Sequence, residues 1–446
     1  MKTKRHGERE IPIDVYTKMQ HMLIVESLRE VMDGASFERL IKQITVPVMG
    51  IKSLRDYFDG EVGITAGDES VPKKRHELDY AQKTIHIYFG VYVRGVGSFR
   101  YMLGEDGRDK ISLLGLRIDP PNEDDYFILG ARKLSEDAVN LNKLHTSIPH
   151  KKIERITRVL EDQWTVAKQL ELLKLIIDES RKLSREFKLV IALMDGSILP
   201  WELNMDVSPG SRLFSGLPGE LVDKILRSEE RNLRGFNELF NEVYNSGGII
   251  LVGAVKKSSD WTLQGMVGRA PDKEGPDQVL LSNIMEENTV FKVPFRSHRF
   301  DTFIAKLNRF KIGRGRYVID TYYIRHKLTA YPLRLEVLAP RGLPWDVVSA
   351  VPHLLMHLAV TSERHTFISK SRGGSLGVPT LLPIYVVDHK VRERGIAEIA
   401  EATYVIDKEW ERIREILKRN MGSNNEFTIS WSGVKRLLGG GDERGL

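Results

Sequence analysis

Residues 188–197 read KLVIALMDGS. Lys188–Met194 is a short apolar run of the kind that forms a strand buried on both faces. It passes directly into Asp195-Gly196-Ser197, so a carboxylate, a flexible residue and a hydroxyl follow the strand at once. A second stretch has the same form: GEVGITAGDES, residues 60–70, predicts a short strand ending at Asp68. In open α/β sheets, functional groups collect at the carboxyl ends of strands. Two aspartates delivered there are suited to share a divalent cation. Mg2+ and Mn2+ take oxygen ligands and keep positions open for phosphate and water. Asp-Gly and Asp-x-Ser are also ordinary turn chemistry, and the two stretches alone allow either reading.

Outward from this strand, the pattern alternates. Ile153, Ile156, Leu160, Trp164 and Ala167 recur at spacings of three and four and predict a long helix over 151–187. Pro218–Asn245 predicts a charged amphipathic helix, and GGIILVGAV (247–255) another buried strand. Phe300, Phe303, Ile304, Leu307 and Phe310 form a further helical stripe. Tyr317–Leu328 and Leu333–Leu338 predict a strand pair, and helices follow near 344–361 and 390–419. Lys83–Val96 is rich in β-branched and aromatic residues and predicts one strand. Strands interleaved with long helices give the class α/β. Residues 1–60 form a helical N-terminal extension with Met22, Val25, Leu28 and Met32 in helical register. Residues 97–150 read as an insertion, and 411–446 as the end of a helix and a tail.

Composition excludes several chemistries. The chain has 446 residues and no cysteine, which removes disulfides, thiolate zinc sites and cysteine nucleophiles. The opening MKTKRHGERE has no apolar signal core, and no apolar stretch approaches a membrane span. The expectation is a cytoplasmic protein without membrane contact. The formal charge is only +6, yet residues 296–327 carry nine Lys/Arg against two Asp, a net of +7. The phenylalanines of that segment fit a core face. Lys306, Arg309, Lys311, Arg314 and Arg316 are then left for the outer face and the glycine-broken loop KIGRGR, where they are suited to backbone phosphates.

Glu171 falls on the helical stripe that should be buried, among Leu170, Leu172 and Leu173. A buried carboxylate is costly unless paired or metal-bound, which makes it a candidate third acid, with Glu179 as its rival. Lys256 follows a strand and is either a phosphate contact or a solvated strand end. Arg334 and Glu336 share one face of their strand. His353 and His357, four apart in an apolar helix, read as core or interface histidines rather than metal ligands. The tail segment LGGGDERG lacks the Gly-Lys-Ser/Thr ending of a phosphate loop.

The order of these elements resembles the NurA nuclease family over roughly residues 60–400. The likeness runs through ITAGDES (64–70), QLELLKL (169–175) and LVIALMDGSILPWEL (189–203). It continues through ILVGAVKKSS (250–259), YPLRLEV (331–337) and LPIYVVDHK (382–390). The resemblance implies an RNase H-like mixed sheet flanked by helices over residues 61–410. It also implies a metal-dependent DNA nuclease using Mn2+ (or Mg2+), with 5'-3' exonuclease and single-strand endonuclease activity at DNA ends. A homodimer and a HerA-type hexameric ATPase partner in end resection or repair complete the expectation. Carried over, the acidic set is Asp68, Glu171 and Asp195, with His389 as the late histidine. Two departures stand out. Asp68 is followed by Glu69 rather than glycine, and Leu381 stands where the family has a late tyrosine. The alternatives are a non-catalytic DNA-binding or adaptor subunit on the same fold, and a nuclease acting on RNA.

Overall fold

The computed structural model describes residues 34–421, apart from 81–82, 123–124, 130–149, 205–206, 208–213, 216–218, 257–262, 264–276, 295, 328, 330 and 370–373. The N-terminal stripe from Met22 to Met32 and the tail beyond 421 lie outside the described residues.

The described helices are α1 (Gly34–Ile44), α2 (Ile51–Phe58), α3 (His150–Leu183), α4 (Gly219–Tyr244), α5 (Asp277–Ile284), α6 (His298–Arg309), α7 (Trp345–His357) and α8 (Leu382–Met421). The main sheet is mixed, in the order β1-β10-β11-β12-β9-β8-β2-β5-β6. Its strands, in that order, are Val46–Pro47, Thr289–Lys292, Ile319–Arg325, Leu333–Leu338, Ile249–Val255, Val190–Asp195, Glu61–Ser70, Val93–Leu103 and Asp109–Asp119. At the centre, β2, β8 and β9 run parallel. On one side β5 and β6 continue as an antiparallel meander, and on the other β12, β11 and β10 are antiparallel. A small sheet of β3 (Lys73–Tyr80), β4 (Lys83–Val91) and β7 (Tyr126–Leu129) stands beside it, with a hairpin of β13 (Ala359–Ser369) and β14 (Gly374–Leu381).

The mixed sheet flanked by helices is the α/β class that the alternating pattern predicts. Three local expectations change. Lys83–Val96 is two strands that break at Tyr92, because β4 and β5 enter different sheets. The first part of the expected insertion, residues 97–119, supplies β5 and β6 of the main sheet itself. The last helix begins at Leu382, so Asp388 and His389 are helical.

Two cores cover the two faces of the sheet. Val62, Ile64 and Ala66 of β2, Ile191 and Leu193 of β8, and Ile250, Val252 and Ala254 of β9 face one core with α2, α7 and α8. Val190, Ala192 and Met194 of β8, with Ile249 and Leu251 of β9, face the other, with α3, α4 and α6. The alternation of apolar partners on both faces is what a doubly covered central strand requires.

Glycines let the helices approach. A Cβ on Gly67 would meet Ile176 of α3 at 2.4 Å, and one on Gly95 would meet Val391 of α8 at 2.6 Å. A side chain at either place would require these neighbours to shift. The close seat of α8 over β5 is what brings Asp388 to β2.

Candidate acidic site at the strand ends

Strand alternation assigns the site to one face. The β2 series Val62, Ile64, Ala66 continues to Asp68; the β8 series Ile191, Leu193 continues to Asp195; the β9 series Ile250, Val252, Ala254 continues to Lys256. These three side chains therefore leave the sheet on the same side, at neighbouring strands. Asp68 is 4% exposed. Its Oδ1 accepts the Glu69 amide at 2.7 Å, while its buried Oδ2 meets no donor. The Lys256 ammonium lies 2.5 Å from Asp195 Oδ2.

A third carboxylate comes from above. Asp388, 6% exposed, projects from α8 one residue after Val387 and accepts from Arg392 one turn on. Burial holds the Asp68 carboxyl well above the usual carboxylate range. The charge of Asp195 raises it further, Lys256 opposes, and Asp388 adds to the rise through its charge and a side-chain hydrogen bond. Burial lowers the Lys256 ammonium, but Asp195, Asp68 and Asp388 together raise it above its ordinary value. Three acids thus surround one ammonium, with a surplus of negative charge.

The turn after β8 is fixed from the opposite face. Gly196 has φ +104°, a conformation that glycine adopts freely. Glu336 Oε2 accepts from Ser197 Oγ at 2.7 Å and from the Ile198 amide at 3.0 Å. Its other oxygen pairs with the fully buried Arg334 at 2.9 Å. Arg334 and Glu336 therefore hold the turn from which Asp195 projects. Gly253 lies beneath it, where a Cβ would stand 2.7 Å from Gly196 O.

Glu69 was readable only as a departure from a motif. It leaves the strand on the other face from Asp68, where the Tyr92 hydroxyl donates to Oε2 at 2.6 Å. Burial pushes its carboxyl up to about 7; Tyr92 and Gln169 oppose, while Asp195 and Glu202 add to the rise.

Two expected residues are placed differently. Glu171 does not lie on a buried face: its side chain is 44% exposed and pairs with Arg94 and Lys168. The buried stripe of α3 runs through Val159, Gln163, Val166, Leu170, Leu173, Ile177 and Ser180, so the phase read from Trp164 and Ala167 is shifted by one residue. The rival Glu179 accepts from Ser98 Oγ at 3.2 Å and pairs with Lys182, and Ser98 lies opposite Thr65, three residues before Asp68. Lys306 is not on an outer face either. It is 4% exposed and pairs with the fully buried Glu229 at 2.6 Å, joining α6 to α4. Arg309, Lys311, Arg314 and Arg316 are exposed as expected, but their helix and loop pack on the sheet face opposite Asp68 and Asp195. His389 is exposed, and its neighbour Asp388 is the residue that faces Asp68.

No protein-family model matches the chain, and no curated protein matches it. The chain is similar to NurA nucleases of known structure. The crystal structure of the NurA nuclease from Sulfolobus solfataricus is 12% identical, covers 90% of this chain and 98% of its own, and gives a TM-score of 0.37. A NurA structure with manganese is 15% identical over 87% of this chain and 96% of its own, with a TM-score of 0.28. A NurA structure bound to dAMP and manganese gives 14% identity and 0.26 over 86% of this chain and 94% of its own.

Among the described residues, no group of three or more His, Asp or Glu side chains is arranged to hold an ion by itself. A hard divalent cation needs less, since Mg2+ is commonly bound by one or two carboxylates, with water and substrate phosphate completing its shell. Asp68 and Asp195 fit this pattern, and the donorless Asp68 Oδ2 is the oxygen such an ion would take. Among the described residues, no helix is long and apolar enough to cross a membrane.

Proposed function

We propose that the chain is a metal-dependent nuclease that hydrolyses phosphodiester bonds at DNA ends, with an RNase H-like core. The observation that carries this reading is the buried, donorless Asp68 Oδ2 beside Asp195 and Lys256 at the ends of parallel strands. The antiparallel meander of β6, β5 and β2 followed by parallel β8 and β9 supports the RNase H-like assignment.

Asp68 and Asp195 would hold Mn2+ or Mg2+. When bound, such an ion lowers the pKa of water and neutralises charge at the phosphate. The remaining work falls to the chain. Lys256, already drawn to Asp195, donates to a non-bridging phosphate oxygen. Asp388 orients water from the α8 side and takes the third acidic position first assigned to Glu171. Glu336 and Arg334 keep Asp195 in place through the Ser197 turn. His389, at the exposed rim beside Asp388, donates a proton to the leaving oxygen. Residues 61–410 form the nuclease domain in this proposal. Cytoplasmic location, a homodimer and a HerA-type ATPase partner are carried by the sequence resemblance.

The test is a cleavage assay on parallel DNA and RNA substrates with Mn2+, Mg2+ or chelator. It compares wild type with Asp68→Ala, Asp195→Ala and Asp388→Asn. Wild type should cut DNA only with metal, and each substitution should slow cutting by about 100-fold or more, the scale of losing a charged group at the reacting centre. A wild type that never cuts, or aspartate variants that cut equally well, sinks the reading. A chain that binds DNA without cutting is the adaptor instead.

A further inference from the structure

Lys311, Arg314 and Arg316 are exposed on the loop between α6 and β11. Among the described residues none of the three makes an ion pair. Three cations without an acidic partner thus stand within six residues of one loop, whereas Arg234 on the neighbouring α4 pairs with Glu230.

The loop is built rather than slack. Asn237 of α4 donates to Gly313 O at 3.0 Å and accepts from the Gly315 amide at 3.4 Å and the Tyr317 hydroxyl at 2.7 Å. A Cβ on Gly315 would stand 1.8 Å from Asn241 Oδ1, so the backbone lies flush on α4. Tyr317 is fully buried, edge-on to Phe240 at 5.5 Å. Arg314 lies over the Phe300 ring at 6.0 Å. Holding the backbone in advance lowers the entropy cost of binding.

The loop belongs to the other side of the sheet. Phe300, Phe303, Leu307, Ile312 and Tyr317 pack in the core opposite the face that carries Asp68, Asp195 and Lys256. β11 is also three strands from β8, about 14 Å at the usual strand spacing.

We propose that this loop is an anchor for the sugar-phosphate backbone of a nucleic acid, separate from the acidic site and engaging the substrate on the opposite face. The inference rests on the nucleic-acid reading above. A protein partner would want an apolar or aromatic centre to its contact. Here Val318 is the single large apolar side chain of residues 311–318 that is strongly exposed. Phosphates need only the cations. A substrate must pass from one face of the sheet to the other to touch both places, so affinity should depend on length.

The test is binding of labelled DNA of graded length, read by anisotropy in chelator over a salt series. Wild type is compared with the triple variant Lys311→Gln, Arg314→Gln, Arg316→Gln. For long DNA the variant should bind at least 10-fold more weakly at moderate salt, and its log–log salt slope should be shallower by about 3. The gain in affinity that wild type shows from short to long DNA should shrink in the variant. Thermal unfolding of the variant checks that its fold is kept. An unchanged slope and length dependence overturn the anchor and leave the nuclease reading standing. A wild type that binds DNA through these residues but never cuts it upholds the anchor and removes the nuclease. A wild type that does not bind nucleic acid overturns both.

Discussion

Lys256 holds its ammonium 2.5 Å from Asp195 Oδ2, across two adjacent parallel strands. Both side chains are largely buried, at 18% and 15% exposure, and Asp68 and Asp388 add their charge to the same ammonium. Replacing it by an apolar residue of similar length leaves Asp195 and Asp68 without their cation. Lys256→Met should lose about 2–3 kcal/mol, somewhat below the cost of breaking a fully buried pair. Urea unfolding at neutral pH measures it. An unchanged midpoint would mean that the pair contributes nothing to the fold.

The turn after β8 depends on a missing side chain. Gly253→Ala would place a methyl 2.7 Å from Gly196 O and 2.8 Å from the Ile198 amide. Both neighbours are backbone, so the turn must shift. We expect a loss of about 1–3 kcal/mol, in the range of overpacking a core. Asp195 should be displaced with the turn. A variant that unfolds like wild type would show that the turn gives way freely.

Lys306 is predicted to matter for folding rather than for nucleic acid. Lys306→Met strands Glu229, which is fully buried and otherwise bonded to Gln163. The expected loss is about 3–5 kcal/mol. Double substitution with Glu229→Leu should recover most of it. A DNA-binding defect without a stability loss would contradict the assignment.

His353 sets a pH dependence. Its Nδ1 accepts the Met49 amide at 3.2 Å, and His357 Nε2 lies 2.8 Å from Met49 O, so the pair clasps the segment entering α2. Burial lowers the His353 pKa from 6.5 to about 4, with His357 adding to the fall. Between these values the unfolded chain takes up a proton that the folded chain refuses. Stability should therefore be flat above about pH 6.5 and fall toward pH 4, by up to about 3 kcal/mol. His353→Asn offers an acceptor near the same place without titrating in that range. A denaturation series from pH 4 to 8 on both proteins checks this. An identical slope in the variant would assign the effect elsewhere.

Much of the centre was legible in sequence because strands buried on both faces leave long apolar runs. VIALMD and IILVGAV are each one strand, and their ends locate Asp195 and Lys256. The pairing of Tyr317–Leu328 with Leu333–Leu338 also survives as β11 and β12. Glu171 misled because α3 is apolar on more than one side, so the stripe had two plausible phases. Leu172 and Ile176 meet β2 while Leu170 and Val166 turn toward α4 and its neighbours. Lys306 misled because a lysine beside exposed arginines gives no sign of a glutamate 77 positions earlier in the chain. Asp388 was hidden by its exposed neighbour His389. Only the helical start at Leu382 and the close seat at Gly95 turn it inward.

Asp68 and Glu69 are adjacent acids that leave β2 toward different layers of the molecule. Which of them lies on the face of Asp195 is decided by the register of β2 against its neighbours. A slip of one residue would exchange their places and drive Val62, Ile64 and Ala66 into the face where Gly63 and Gly67 leave room for α3. The ten paired positions of β2 with β5, from Glu61–Met102 to Ser70–Val93, guard against that slip. The identity of the central carboxylate is thus stored partly in a neighbouring strand. Residues such as Arg100 and Met102, far from any acid of the site, act as its spelling check.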